Sequence, residues 1–282
     1  MKKILVCLAI LLLVNAFFAR VEVNADFQTS AKAMCLIEKT TGREICSKNE
    51  DEKLPMASTT KIVTALTVLE NCDNLNEKFK VDDRAVGVPG TSIYLIKGEE
   101  LTVRELLYGM MLVSGNDAAT ALALHISNSI EEFCKLMQET ALKAGATNSS
   151  FSNPHGLDEE GHYTTAHDLA LIATKALQNP TFAEIVSTRE CKISGNEKNP
   201  VRYLKNKNKL LNTFQGATGV KTGFTDDAGR CFVGSAEREG TEFVCVLFNC
   251  GPMFEECSSL LEEAFKNYSL IEIVPSYNYI SK

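Results

Sequence analysis

Apolar and polar positions change rhythm several times along this chain. Positions 4–19 are almost unbroken apolar. Two short runs of strand character follow, 33–38 and 43–47, joined by the hairpin signal Lys39-Thr40-Thr41-Gly42. The run 58–70 repeats at helical spacing and is apolar on nearly all sides, as a helix is when it is buried. Pro55 just upstream fits its start. From about 101 to 177 the period is mostly helical, with segments 103–111, 118–127, 130–144 and 166–177. Gly145 suits a C-cap, and Asn153-Pro154-His155-Gly156 is a loop. Beyond about 216 the period shortens. Runs 219–224, 230–237 and 242–249 read as strands, and a last helix covers about 254–268.

The order is strands, helices, strands, helix. It predicts an α+β fold of mixed layers, with an antiparallel sheet assembled from both chain ends and packed with helices. A mostly helical insertion is expected at about 73–210. The domain is expected to span 26–282.

The 4–19 run changes the picture at the N-terminus. Lys2 and Lys3 precede it, and Val23-Asn24-Ala25 follows it with small residues. That is the pattern of an export signal, with cleavage expected after Ala25. The remainder is expected outside the cytoplasm. The 282 residues carry a net charge of -7, and Lys2, Lys3, Arg20 and Glu22 contribute +2 of it, leaving -9. No basic stripe points to a nucleic-acid partner. Attraction of an anionic substrate must therefore be local to a site. Nine cysteines follow the signal, with no C-x-x-C pair among them. Several lie inside apolar runs, so mostly free thiols are expected.

Candidate chemistry lies in three short motifs: Ser58-Thr59-Thr60-Lys61, Ser114-Gly115-Asn116 and Lys221-Thr222-Gly223. At a spacing of three on a helix, Ser58 and Lys61 share a face. A serine hydroxyl attacks well only when a base takes its proton, and a desolvated lysine is one such base. Each motif alone is commonplace. Together, in this order, they mark an active-site serine enzyme.

The chain resembles the low-molecular-mass penicillin-binding proteins that act as serine-type D-alanyl-D-alanine carboxypeptidases. Pro55 to Lys61, Ser114-Gly115-Asn116-Asp117-Ala118, Asn153 to Asp158, Gly219 to Thr225 and Ala228-Gly229-Arg230 carry the likeness. It covers about 27–270. The resemblance implies a β-lactamase/transpeptidase-like fold and removal of the terminal D-alanine from peptidoglycan stem peptides, with β-lactams as inhibitors. It implies Ser58 as nucleophile, Lys61 as base and Ser114 as proton relay. Asn116, Lys221, Thr222, Gly223 and Phe224 would hold the substrate. The N–H groups of Ser58 and Phe224 would hold the oxyanion, and Gly223 would let substrate backbone approach the strand edge. No cofactor or metal is implied, and the protein is expected to be a monomer.

Two departures stand out. With the sequence ending at Lys282, the second all-β domain and C-terminal anchor of many relatives are not expected. Many relatives also carry an arginine before the last helix that binds the substrate carboxylate. Here Cys250-Gly251-Pro252-Met253-Phe254 has none. Carboxylate binding then rests on Thr222, Lys221 or a residue the sequence does not place.

Two rival functions remain. A β-lactamase of the same fold would need a deacylating glutamate, and no E-x-x-L-N pattern lies between Asn116 and Lys221. A catalytically weak penicillin- or wall-binding module has no need of Ser58 and Lys61. Among the four histidines, His125 reads as structural on an apolar helix face and His155 as shaping the site rim. No metal-binding spacing occurs among them. Two glycosylation-like triplets, at Asn148 and Asn267, read as chance.

Overall fold

In the computed structural model, residues 27–197 and 200–271 are described. The expected export signal lies outside them. Strands β1 (Ala33–Glu38) and β2 (Glu44–Lys48) form the expected hairpin. Three late strands follow: β7 (Ala217–Thr225), β8 (Gly229–Arg238) and β9 (Thr241–Phe248). Together they make one antiparallel sheet of order β2-β1-β9-β8-β7. Both chain ends therefore meet at the β1–β9 pair, as the strand–helix–strand order predicts.

Both faces of the sheet are covered. Odd positions Ala33, Cys35 and Ile37 of β1 enter one core, and even positions Met34 and Leu36 enter the other. That alternation is the period of a strand. The first core lies under a helical layer. Its helices are α1 (Lys61–Asn71), α2 (Val103–Leu112), α3 (Asn116–Ile126), α4 (Ile130–Lys143), α5 (Ala166–Leu177) and α6 (Pro180–Ser187). A single turn, α7 (Leu210–Thr213), precedes β7. The second core is closed by α8 (Met253–Asn267), whose Met253, Cys257, Leu260, Leu261 and Ala264 recur at helical spacing and are buried. Burying each such leucine stabilises the fold by roughly 1.5–3 kcal/mol.

Local sequence sets the helix starts. Thr102 and Glu105 make a reciprocal capping box on α2. Thr165 caps α5, and Asn179 followed by Pro180 starts α6. The 73–210 region is less purely helical than expected. It holds two small hairpins, β3 (Lys78–Lys80) with β4 (Glu100–Thr102), and β5 (Glu190–Ser194) with β6 (Val201–Lys205). Arg202 of β6 explains the second. Its largely buried guanidinium donates to Glu99 and to the carbonyls of Ile93, Tyr94 and Ser194. This ties the hairpin onto the 92–99 loop beside the site. The nine cysteines among the described residues are free thiols.

Candidate active site

The nucleophile candidate sits in a tight 3-10 turn, Ala57–Thr60, that runs directly into α1. Ala57, immediately before Ser58, has a φ of 47°. Non-glycine residues in that region carry strain of order 1–3 kcal/mol, which the surroundings must hold in place. Here the holding groups are hydrogen bonds. Thr60 Oγ1 donates to Ala57 O at 2.8 Å, and Thr59 Oγ1 to Met56 O at 2.6 Å. His162 supports the turn from beneath. Its Nδ1 accepts from Ser152 N at 3.0 Å, which leaves the ring proton on Nε2, 2.9 Å from Thr60 Oγ1. Burial, with Lys61 adding to it, pulls the His162 pKa down to about 4, so the ring is neutral.

Lys61 is fully buried, and its Nζ meets three oxygens. They are Ser58 Oγ at 3.0 Å, Asn116 Oδ1 at 2.8 Å and His155 O at 2.5 Å. The latter two accept only. A neutral amine gives its two protons to Asn116 and His155 and turns its lone pair to the Ser58 hydroxyl. Desolvation holds the Lys61 pKa well below the ordinary lysine range, and the charges of Lys221 and Lys207 push the same way. Lys221 is itself buried, and desolvation with Lys207 brings it down to about 7. Its Nζ donates to Thr222 O at 2.9 Å.

Ser114 completes the group at the N-terminal side of α3, with a φ of 69°. It borders the same cavity as Ser58, about 440 Å³ in volume, together with Thr91, Lys207, Lys209, Thr222, Gly223, Phe224, Arg230, Met253 and Phe254. The three motifs thus converge. Strand β7 is the sheet edge and passes against the Ser58 turn.

Three of the residues expected to hold the substrate are placed as follows. Asn116 is buried, with both ends of its amide engaged: Oδ1 by Lys61 and Nδ2 donating to Pro89 O at 2.7 Å. Here it positions the base and does not border the cavity. Lys221 also lies off the cavity wall. Gly223 admits the enzyme's own backbone: a Cβ there would stand 3.0 Å from Ser58 N and 3.1 Å from Thr59 N.

The structure adds groups that sequence reasoning left without a role. His155 presents its carbonyl to Lys61, and its ring Nδ1 accepts from Leu157 N at 3.3 Å. Asn153 Oδ1 accepts from His155 N and Gly156 N and so shapes that loop, while Thr64 Oγ1 donates to Pro154 O and ties it to α1. Buried Asp117 accepts from Ile93 N, Leu95 N and Ser92 Oγ, and so organises the loop above α3. Both stretches belong to the family-like segments, which was the available signal. His125 is exposed and stacks on Phe79 with ring centroids 3.7 Å apart, rather than packing into an apolar face.

The site and the fold together define an active-site serine peptidase of the penicillin-recognising type. The model of the D-alanyl-D-alanine carboxypeptidase family, peptidase family S11, matches residues 19–251, and the chain belongs to that family. It is 36% identical over 252 residues to the D-alanyl-D-alanine carboxypeptidase DacF of Bacillus subtilis, covering 87% of this chain and 64% of the relative. The chain therefore spans somewhat less than two thirds of that relative's length. DacC of Escherichia coli is 32% identical, covering 95% of this chain and 69% of the relative. The crystal structure of the Streptomyces K15 DD-transpeptidase superposes with a TM-score of 0.79 at 31% identity, covering 86% of this chain and all of that one. A penicillin-binding protein homologue from Mycobacterium tuberculosis gives a TM-score of 0.82 at 27% identity, covering 90% and 98%.

Proposed function

We propose that this protein removes the terminal D-alanine from peptidoglycan stem peptides through an acyl-enzyme on Ser58. The observation that carries this reading is the contact set of Lys61: a buried amine with two acceptors for its protons and its remaining direction on Ser58 Oγ. Ser58 Oγ attacks the carbonyl carbon between the two D-alanines, and its proton passes to Lys61 Nζ. The oxyanion that forms lies between the N–H groups of Ser58 and Phe224, a position that the close passage of Gly223 supports. The C–N bond then breaks, and Ser114 passes a proton to the departing amine. Water hydrolyses the ester and restores Ser58.

β-Lactams enter the same route as inhibitors, because they too offer a strained acyl group to the serine. The leader-like segment supports export, so we place the enzyme outside the cytoplasm. All groups named come from one chain, which suits a monomer acting as a single unit from about residue 26. The direct test is release of D-alanine from a synthetic stem peptide ending in D-Ala-D-Ala. One equivalent per peptide is expected, and Ser58→Ala should release none. A wild-type protein that releases no D-alanine would end this reading.

A further inference from the structure

We propose that Arg230, with the Thr222 hydroxyl, receives the free carboxylate of the substrate's terminal residue. The proposal deepens the carboxypeptidase reading and rests on it. Sheet register provides the first observation. Phe224 pairs with Arg230 and Thr222 with Phe232 across β7 and β8. All four side chains therefore project from one face of this strand pair. Phe232 is buried there against Phe254 of α8, with ring centroids 4.9 Å apart. Thr222 and Arg230 are diagonal neighbours on that face, about 7–8 Å apart along the backbone, a span that an arginine side chain covers. Both border the cavity that holds Ser58.

The second observation is charge. Arg84, Arg104, Arg202 and Arg238 each pair with a carboxylate. Arg43, Arg189 and Arg230 have no carboxylate partner among the described residues, and of these three Arg230 borders the cavity and is exposed. The cavity wall carries Lys207, Lys209 and Arg230 and no acidic side chain, in a protein of net charge -7. Such a wall selects an anion. The Lys209 ammonium lies 5.9 Å over the Phe254 ring, and Lys207 adds a second positive charge to the same wall. A guanidinium also offers a planar fork that matches both oxygens of a carboxylate, which an ammonium does not. The third observation is position. Cys250 N donates to Arg230 O at 2.9 Å. Arg230 thus stands beside the 250–254 stretch, which has no arginine of its own.

The test compares a peptide ending in D-Ala-D-Ala free acid with its C-terminal amide. Arg230→Ala should lower kcat/KM on the acid by about 10- to 100-fold and leave the amide within about 3-fold, with Arg230→Lys recovering part of the loss. Equal losses on acid and amide, or none on the acid, overturn the proposal. Acylation by penicillin and by its methyl ester provides the same comparison without peptidase turnover. If the wild-type protein hydrolyses neither peptide, the carboxypeptidase reading fails. The penicillin pair then still decides Arg230: a loss confined to the free acid supports it, and an equal loss or none refutes it.

Discussion

Lys61→Ala is expected to slow acylation of Ser58 by about 100- to 10,000-fold, the usual worth of a positioned general base. The cause is specific: Nζ is the one amine within hydrogen-bond reach of Ser58 Oγ among the described residues. In the intact protein, acylation needs the neutral amine. Burial disfavours the ammonium first, and the positive charge of Lys221 adds to that. The folded pKa is thus depressed, and the rate should climb with pH through an apparent value well below the ~10.4 of a free lysine. Lys221→Ala removes a neighbouring cation, so the Lys61 ammonium loses its proton less readily. The ascending limb should then move to higher pH, and the rate at neutral pH should fall. Because Lys61 and Lys221 interact, the measured value belongs to the pair. Stopped-flow acylation by a chromogenic β-lactam across pH 5–11 reads the intact protein and both variants. A Lys61→Ala protein that acylates at the wild-type rate, or a profile with no ascending limb below pH ~10, contradicts the role assigned to Lys61.

Gly156→Ala is expected to be nearly as damaging, although Gly156 performs no chemistry. Its φ is +86°, and an added Cβ would lie 1.9 Å from Ala57 O and 2.8 Å from Thr60 Oγ1. Neither neighbour is a flexible side-chain end, so the backbone turn that carries Ser58 must shift. The residue before it presents the carbonyl that accepts from Lys61, so base and nucleophile move together. Misplacing reacting groups by about 1 Å costs on the order of 100-fold in rate, and the positive φ adds roughly 1–3 kcal/mol of destabilisation. Gly240→Ala separates the two effects. Gly240 has a φ of +79° with nothing within 4 Å of the added Cβ. It should lower the unfolding midpoint and leave acylation unchanged. If Gly156→Ala acylates as fast as Gly240→Ala, the packing of loop 153–157 against the Ser58 turn does not set the geometry of the nucleophile.

Much of this was legible in the sequence because it depends on period and local chemistry. The near-continuous apolar runs 33–37 and 243–248 follow from a sheet with both faces covered, and the all-round apolar run after Ser58 follows from its central place. The three motifs are local signals, and the fold brings them to one cavity. What stayed hidden depends on distance in space. The β5–β6 hairpin is held by Arg202 reaching a loop about a hundred residues away, which no window of sequence contains. The His155 contribution is a backbone carbonyl, and backbone atoms leave no residue-type signature. The hydrogen bonds of the Asn116 amide to Lys61 and to the Pro89 carbonyl likewise join residues far apart in sequence. Arg230 sat within a family-like stretch without a role. Only the strand register shows it on the same face as Thr222.

The central claim is that Ser58 is the group that becomes acylated. Intact-protein and peptide mass spectrometry after incubation with penicillin tests it most directly. One adduct per chain is expected, on the peptide that contains Ser58, and Ser58→Ala should carry none. An adduct on any other residue, or unchanged labelling of Ser58→Ala, would contradict it.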